Sequence, residues 1–191
     1  MIIVFIGPPY AGKETQGKLL SRKFNNMPIF SMGGLIREAR KRGDETFIRA
    51  YEEYSLKGLH VPTAIKFPLL KEKMDQAQEG FILDNFPATK DDLTMFINYL
   101  LKTNKKVNGV IYLRISEGEM KKRLKNAFRG RLDDDLDIVT VRKEAQDQDR
   151  IPVLDYYKNQ NLLFEINGEG DIDEIHQKIH EEILKGADKN D

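Results

Sequence analysis

Short apolar runs recur along the chain, separated by longer segments with helical spacing. Residues 1–6 (MIIVFI) form the first run, and a glycine follows it directly. An apolar run without polar alternation is typical of a strand buried on both faces, as in a parallel sheet. Further strands are predicted at residues 29–31, 80–83, 110–113 and 162–166. The pattern therefore indicates about five strands.

Helical patterns lie between these strands. The early ones are predicted at residues 13–24, 34–42, 46–57 and 63–77. Alternating strands and helices indicate an α/β fold, and right-handed crossovers would give a three-layer, doubly wound parallel sheet that binds ligands at the carboxyl ends of its strands. Three of these helices lie between the strands at 29–31 and 80–83, where a single crossover needs only one. We therefore expect residues 32–62 to form an inserted helical lobe, hinged at its ends.

Composition narrows the class of protein. A length of 191 residues suits one hydrophobic core. The 31 basic and 31 acidic residues leave no overall field that would attract nucleic acid or an anionic membrane. With no cysteine, a disulfide framework and a thiolate zinc site are excluded, and the first apolar run is too short for a signal peptide or a membrane span. We expect a cytoplasmic protein.

The segment after the first strand, GPPYAGKETQG, has the GxxxxGK frame of a phosphate-binding loop. In such loops glycines aim backbone N–H groups at phosphate oxygens, while the lysine meets the β- and γ-phosphates. A glycine-rich turn with a surface lysine is the alternative, but the position between a strand and a helix favours the loop. The residues predicted to bind ATP are Gly7, Pro8, Tyr10, Ala11, Gly12, Lys13, Glu14 and Thr15.

Two residues of this loop are unusual. If position 10 requires a positive φ, Tyr10 is strained there; if φ is negative, its ring can cover a nucleotide. Glu14 would weaken the attraction of a polyphosphate if its carboxylate faced the loop. An outward orientation would instead place the carboxylate favourably at a helix N-terminus.

Several segments resemble adenylate kinases and related nucleoside monophosphate kinases. GPPYAGKETQG is similar to their GPPGAGKGTQ, with Thr15 one place after the usual hydroxyl. KGLHVP at residues 57–62 and GFILDNFPATKDD at residues 80–92 match further family segments, and RLKNAFRGRLDDD at residues 123–135 resembles the family's short lid. Pro152 matches a proline before the last strand.

This resemblance implies a P-loop NTPase-like fold and an ATP-dependent phosphotransferase whose default acceptor is AMP, with Mg²⁺ as cofactor. It makes residues 32–62 the acceptor-binding lobe and residues 127–135 a short lid. The core then comprises residues 1–31, 63–126 and 136–185, and a flexible tail follows at 186–191. A lid and a lobe that close together would exclude water, a competing acceptor.

The resemblance also implies roles for charged residues. Lys13, Arg123, Arg131 and Arg142 match catalytic positions that neutralise the transferring phosphoryl group. Arg129 is a candidate for a further lid arginine. Asp84, at the end of a strand, would order the waters of Mg²⁺, although capping of the next turn is an alternative reading.

The departures from the family pattern concentrate on the acceptor side. Gly34 and Ala88 stand where the family has an aspartate and a phosphate-binding arginine, and Asp92 replaces a glutamine that reads adenine. The residues predicted to contact the acceptor are Met32, Arg37, Val61, Asn85, Ala88 and Asp92. The departures leave two alternatives open, namely a nucleotide-binding protein without turnover, and a kinase for another small phosphorylated molecule.

Two further groups of residues could suggest a metal site, but only weakly. The aspartates at 133–135 are explained more simply by helix capping and by pairing with lid arginines. His176 and His180 have chelating spacing but no evident third ligand. The neutral charge and the lack of an exposed apolar stripe favour a monomer.

Overall fold

The computed structural model of the chain describes residues 1–126 and 135–187. Its centre is a five-stranded sheet in the order β2-β3-β1-β4-β5. The strands are β1 (Ile2–Ile6), β2 (Ile29–Ser31), β3 (Phe81–Asp84), β4 (Gly109–Arg114) and β5 (Leu163–Asn167). All neighbouring strands pair in parallel, which confirms the sheet predicted from the apolar runs.

The helices occupy the predicted intervals, with small differences at their ends. They are α1 (Lys13–Lys23), α2 (Met32–Lys41), α3 (Glu45–Glu53), α4 (Thr63–Gln76), α5 (Lys90–Thr103), α6 (Glu117–Asn126), α7 (Leu136–Asp149), α8 (Ile151–Asn159) and α9 (Ile172–Ala187). The segment predicted as one helix at 46–57 is divided, because α3 ends at Glu53 and a 3₁₀ turn, Ser55–Lys57, follows. Helix α9 extends to Ala187, into the segment predicted as tail.

Alternate residues of β1 enter opposite halves of the core. Val4 packs with residues of α4, α5 and α8, such as Leu70, Phe96 and Val153. Phe5 packs on the other face with residues of α1 and α9. This period of two is expected for a central strand covered on both faces. The three-layer arrangement follows from it.

The inserted segment of α2, α3 and the 3₁₀ turn shares its core with the sheet. Leu35 and Phe47 belong to the same buried cluster as Leu83 and Phe86, at and after the end of β3. The insert is therefore packed onto the sheet, although its hinged movement stays a prediction. In the described part of the chain, no helix combines the length and the apolar composition needed to cross a bilayer.

Candidate active site

A cavity of about 590 Å³ lies at the carboxyl ends of β1, β2 and β3. The loop after β1, the insert, the first turns of α4 and the helix α7 surround it. The predicted site residues that line it are Tyr10, Ala11, Gly12, Lys13, Glu14, Thr15, Met32, Arg37, Val61, Asp84, Asn85, Ala88 and Arg142. Gly7, Pro8, Asp92 and Arg123 do not line it, and Arg129 and Arg131 lie outside the described residues.

The loop after β1 presents backbone donors to this cavity. Gly12 starts α1 with a φ of 95°, and no side-chain hydrogen bond caps the helix in the described structure. Its first N–H groups therefore form an anion-binding end without a competing carboxylate cap. Lys13 Nζ donates to the carbonyls of Gly7 and Pro8, both at 2.8 Å. These contacts hold the ammonium over the loop, where it lines the cavity.

Glu14 pairs with a lysine on its own helix. Lys18 Nζ donates to Glu14 Oε1 at 2.7 Å, with both side chains at least half exposed. The carboxylate is thereby partly neutralised by a neighbour one turn along α1, a favourable spacing for such a pair. The contact with Lys18 supports the outward orientation that the sequence left open, and Glu14 also contributes to the lining of the cavity.

Tyr10 adopts the strained alternative. Its φ is 62°, a left-handed conformation that L-residues with side chains rarely adopt. The ring is 7% exposed and packs behind the loop against Met120 of α6 and Val139 of α7. Burial of an aromatic ring offsets the backbone strain, which costs about 1–3 kcal/mol. The ring therefore anchors the loop to the helices that flank the lid segment.

Arg123 braces the loop from behind. Its Nη1 donates to the Tyr10 carbonyl at 3.1 Å and its Nη2 to the Gly168 carbonyl at 2.8 Å. Nε donates to Glu119 Oε1 at 2.8 Å, and this hydrogen bond lowers the pKa of Glu119. The structure thus gives Arg123 a supporting position, one layer outside the cavity. A direct contact between Arg123 and a transferring group stays a prediction.

The insert and α7 meet across the cavity. Arg142 Nη2 on α7 donates to the Ser55 carbonyl at 3.3 Å. Gly58, with a φ of 73°, approaches α7 so closely that an added Cβ would lie 2.8 Å from the Ile138 carbonyl oxygen. Only glycine fits such an approach without displacement of the backbone. The contact encloses the cavity on the side of the insert.

Asp84 and Thr15 supply oxygen atoms to the same cavity. Asp84 ends β3, in register with Phe5 of β1 and Ser31 of β2. The next residue, Asn85, has a φ of 58° and donates its N–H to the Phe5 carbonyl at 2.8 Å. Two protein oxygens suit Mg²⁺, which keeps much of its water and takes its remaining ligands from phosphates. The residues present therefore fit this ion.

The other metal signals receive no support from the described residues. Among them, no group of three or more His, Asp or Glu side chains could hold an ion. Asp135 caps α7 by accepting from the Asp137 N–H at 2.9 Å, which confirms helix capping for the last of the three aspartates. Asp133 and Asp134 lie outside the described residues.

The comparisons agree with this geometry. A family model described as adenylate kinase matches residues 5–162. The chain belongs to the adenylate kinase family. An adenylate kinase of Methanocella arvoryzae is 33% identical, over 98% of this chain and 100% of its own length. Adenylate kinases of Leptospira biflexa and Archaeoglobus fulgidus are each 32% identical, over 95% and 97% of this chain and 98% of their own. These matches confirm the resemblance found in the motifs.

Asp92 was predicted to contact the acceptor, but its side chain is buried inside the protein. It is 0% exposed, and its carboxylate accepts from Thr63 Oγ1 at 2.6 Å, Lys66 Nζ at 2.8 Å and the Ala88 N–H at 3.1 Å. Asp92 does not line the cavity. The expected contact between Asp92 and an acceptor is therefore replaced by contacts within the protein.

Sequence reasoning missed Lys66 and His60, which both line the cavity. Lys66 stands four residues before Leu70 and eight before Met74, on the face of α4 that packs against the core. A lysine at this helical spacing from apolar residues could have been recognised in the sequence as a buried one. His60 Nε2 lies 3.5 Å from Asp149 Oδ2 of α7. Burial lowers the pKa of His60 below its ordinary value of 6.5, and the Lys66 ammonium adds to the effect.

Proposed function

We propose that the chain transfers the γ-phosphoryl group of ATP to a nucleoside monophosphate, with AMP as the default acceptor. The observation that carries this proposal is the convergence on one cavity of the uncapped start of α1, Lys13, Arg37, Asp84 and Arg142. Membership of the adenylate kinase family supports the same reaction. An arrangement of donors and cations around a single cleft suits a reaction in which two phosphate groups must meet.

Phosphoryl transfer needs charge neutralisation and alignment more than covalent catalysis. The amides of the loop and Lys13 bind the phosphates of ATP, while Arg37 of the insert binds the phosphate of the acceptor. Arg142 of α7 lines the same cavity and stabilises the charge that develops on the transferring group. Arg131, at the catalytic position of the lid motif, adds a further guanidinium.

Thr15 and Asp84, which line the cavity, are the residues that would hold Mg²⁺. When bound, this ion neutralises phosphate charge and aligns the γ-phosphoryl group. Arg123 acts on the loop through the Tyr10 carbonyl and so keeps the donor amides in place. These assignments separate the residues that touch substrate from those that position them.

Water is excluded by closure of the insert and the lid over both substrates. The contact of Ser55 and Gly58 with α7 supports this, because it joins the insert to the helix that follows the lid segment. A cavity enclosed in this way protects the phosphoryl group from hydrolysis.

An acceptor screen tests the proposal. Purified protein is incubated with ATP, Mg²⁺ and each common nucleoside monophosphate in turn, and ADP formation is followed. We expect ADP with AMP at a rate well above the rate with ATP alone. A folded protein that binds ATP but forms no ADP with any monophosphate would overturn the proposal. The non-catalytic alternative gains nothing from Glu14, since that side chain pairs with Lys18.

A further inference from the structure

A buried ion pair forms part of the cavity wall. Lys66 and Asp92 have side chains 5% and 0% exposed, and Lys66 Nζ lies 2.8 Å from Asp92 Oδ2. Lysine is rarely buried unless it is paired, because removal of a charge from water is costly. The pair connects α4 to the start of α5, and its lysine is the member that lines the cavity.

The carboxylate of Asp92 accepts all its hydrogen bonds from groups of the protein itself. Thr63 donates to Oδ1, while Lys66 and the Ala88 N–H donate to Oδ2. The carboxylate therefore offers nothing to a ligand. Its role is to fix the position of the ammonium and to neutralise its charge.

Lys66 retains hydrogen-bonding capacity. An ammonium has three N–H donors and no acceptor. In the part of the chain that is described, Asp92 is the hydrogen-bond partner of Lys66 Nζ, and the Phe86 ring lies 5.9 Å away. Since Lys66 lines the cavity, an acceptor atom on a bound molecule can complete its hydrogen bonds.

Because Asp92 balances the charge of Lys66, we can infer which part of a bound ligand Lys66 contacts. A phosphate would favour a cation with net charge, whereas the charge of Lys66 is balanced by the carboxylate of Asp92. A paired ammonium beside apolar side chains suits a neutral ring that carries an acceptor atom. Met32 and Val61, which are 6% and 4% exposed and line the same cavity, provide that apolar surface.

We propose that Lys66 selects the base of the acceptor nucleotide and extends the acceptor range to 6-oxopurine monophosphates. This inference rests on the proposed phosphotransferase function. A carbonyl oxygen at C6 accepts a hydrogen bond from the ammonium, whereas the amino group of adenine is a donor and meets another donor. Adenine can use only a ring nitrogen. The same preference underlies lysine contacts with the O6 and N7 edge of guanine in nucleic acids.

Inosine and adenosine 5′-monophosphates form a matched pair of probes, because they differ at the 6-position and in the hydrogen on N1. The measured quantity is kcat/KM for each, in wild type and in Lys66→Met/Asp92→Leu, which removes both charges together. We expect the ratio for the inosine over the adenosine nucleotide to fall roughly tenfold or more, the effect of one lost charge-assisted hydrogen bond. Lys66→Arg should largely preserve the ratio.

Lys71→Met/Asp75→Leu is the matched control, since this pair lies on the exposed side of α4. It should leave the ratio unchanged. If the buried double variant does not fold, Lys66→Gln/Asp92→Asn replaces it with neutral polar groups, and the ratio should again fall because the glutamine carbonyl accepts from the adenine amino group.

An unchanged ratio in a folded variant would overturn the inference. An equal loss for both nucleotides would overturn it too, since that result assigns Lys66 to the shared phosphate. If wild type transfers no phosphoryl group at all, the proposed function fails. The role of Lys66 is then tested by calorimetry, as the ratio of the affinities for the inosine and the adenosine nucleotide in wild type and in the double variant.

Discussion

Lys66 donates a hydrogen bond to Asp92 across 2.8 Å, with both side chains almost completely removed from solvent. The pair joins α4 to α5, and its lysine lines the cavity. Thr63 and the Ala88 N–H complete the shell of the carboxylate. Two charges are costly to bury, and these additional hydrogen bonds offset part of that cost. The arrangement leads to a clear expectation for stability.

Removal of one partner should destabilise the protein far more than removal of both. Lys66→Met leaves an unpaired buried carboxylate and should cost about 3–5 kcal/mol in free energy of unfolding. Lys66→Met/Asp92→Leu should recover most of that loss, because no buried charge remains. Urea unfolding of the two single variants and the double variant measures the coupling.

The exposed pair Lys71 and Asp75 serves as the reference, for which Lys71→Met should change stability by less than about 1 kcal/mol. Equal costs at the buried and exposed pairs would contradict the burial assigned to Lys66 and Asp92.

Gly58→Ala should weaken both stability and phosphoryl transfer. A Cβ at this position would lie 2.8 Å from the Ile138 carbonyl oxygen and 2.9 Å from the Arg142 nitrogen, and φ is 73°. Gly43→Ala is a matched control, because its φ is 83° but no described atom lies within 4 Å of the added Cβ. Both variants carry backbone strain of about 1 kcal/mol, and only Gly58→Ala should also push the insert away from α7. Steady-state kinetics and unfolding of both variants check this, and equal effects would refute the contact.

Tyr10→Gly should be more stable than Tyr10→Ala, the reverse of the usual order for these two residues. Both lose a buried ring, which typically costs about 3–5 kcal/mol. Alanine retains the strain of a positive φ, whereas glycine relieves roughly 1 kcal/mol of it. Guanidinium unfolding of the two variants provides the comparison. A Tyr10→Ala protein more stable than Tyr10→Gly would show that position 10 is not left-handed.

The stability of the protein should fall as the pH drops below about 6.5, in part because of His60. Burial is the main cause that lowers the pKa of His60 from 6.5, with Lys66 and Arg150 in the same direction and Asp92 and Asp149 opposing. In this window the unfolded state binds a proton that the folded state does not, so the lost stability accumulates down to the folded pKa.

His60→Gln should reduce the slope of the free energy of unfolding against pH, by at most the slope that the binding of one proton produces. The pKa of His176 is also lowered by burial, so the comparison belongs in a His176→Gln background. Unfolding free energies between pH 5 and pH 8 give the slopes. An unaltered slope after His60→Gln would mean that His60 is as easily protonated in the folded state as in the unfolded one.

The sheet was predictable because its signal is local. Residues 1–6 are apolar without alternation, and a strand of that kind has to be covered on both faces. The division of the predicted helix at 46–57 was not predictable in the same way. The 3₁₀ turn that follows Glu53 contacts α7 through Ser55 and Gly58, and such contacts between residues far apart in the chain leave no local signal.

The donor side of the site was predictable because its motif is contiguous, from Gly7 to Thr15. The acceptor side was not, since it is assembled from separate elements. Asp92 was expected to face a ligand, but Lys66, 26 residues earlier in the chain, draws its carboxylate inward. The lid motif predicted Arg123 at the reacting group, but not its hydrogen bonds to the carbonyls of Tyr10 and Gly168. Neither partner can be identified from a motif.

The role of Lys13 in phosphoryl transfer is tested by ADP formation from ATP and AMP, which ³¹P NMR follows for wild type and for Lys13→Ala. Lys23→Ala, on the exposed face of the same helix, is the control. The wild type should form two ADP for each ATP consumed, Lys23→Ala should match it, and Lys13→Ala should be slower by roughly 100-fold or more. A folded Lys13→Ala protein as active as wild type would show that the loop lysine takes no part in phosphoryl transfer.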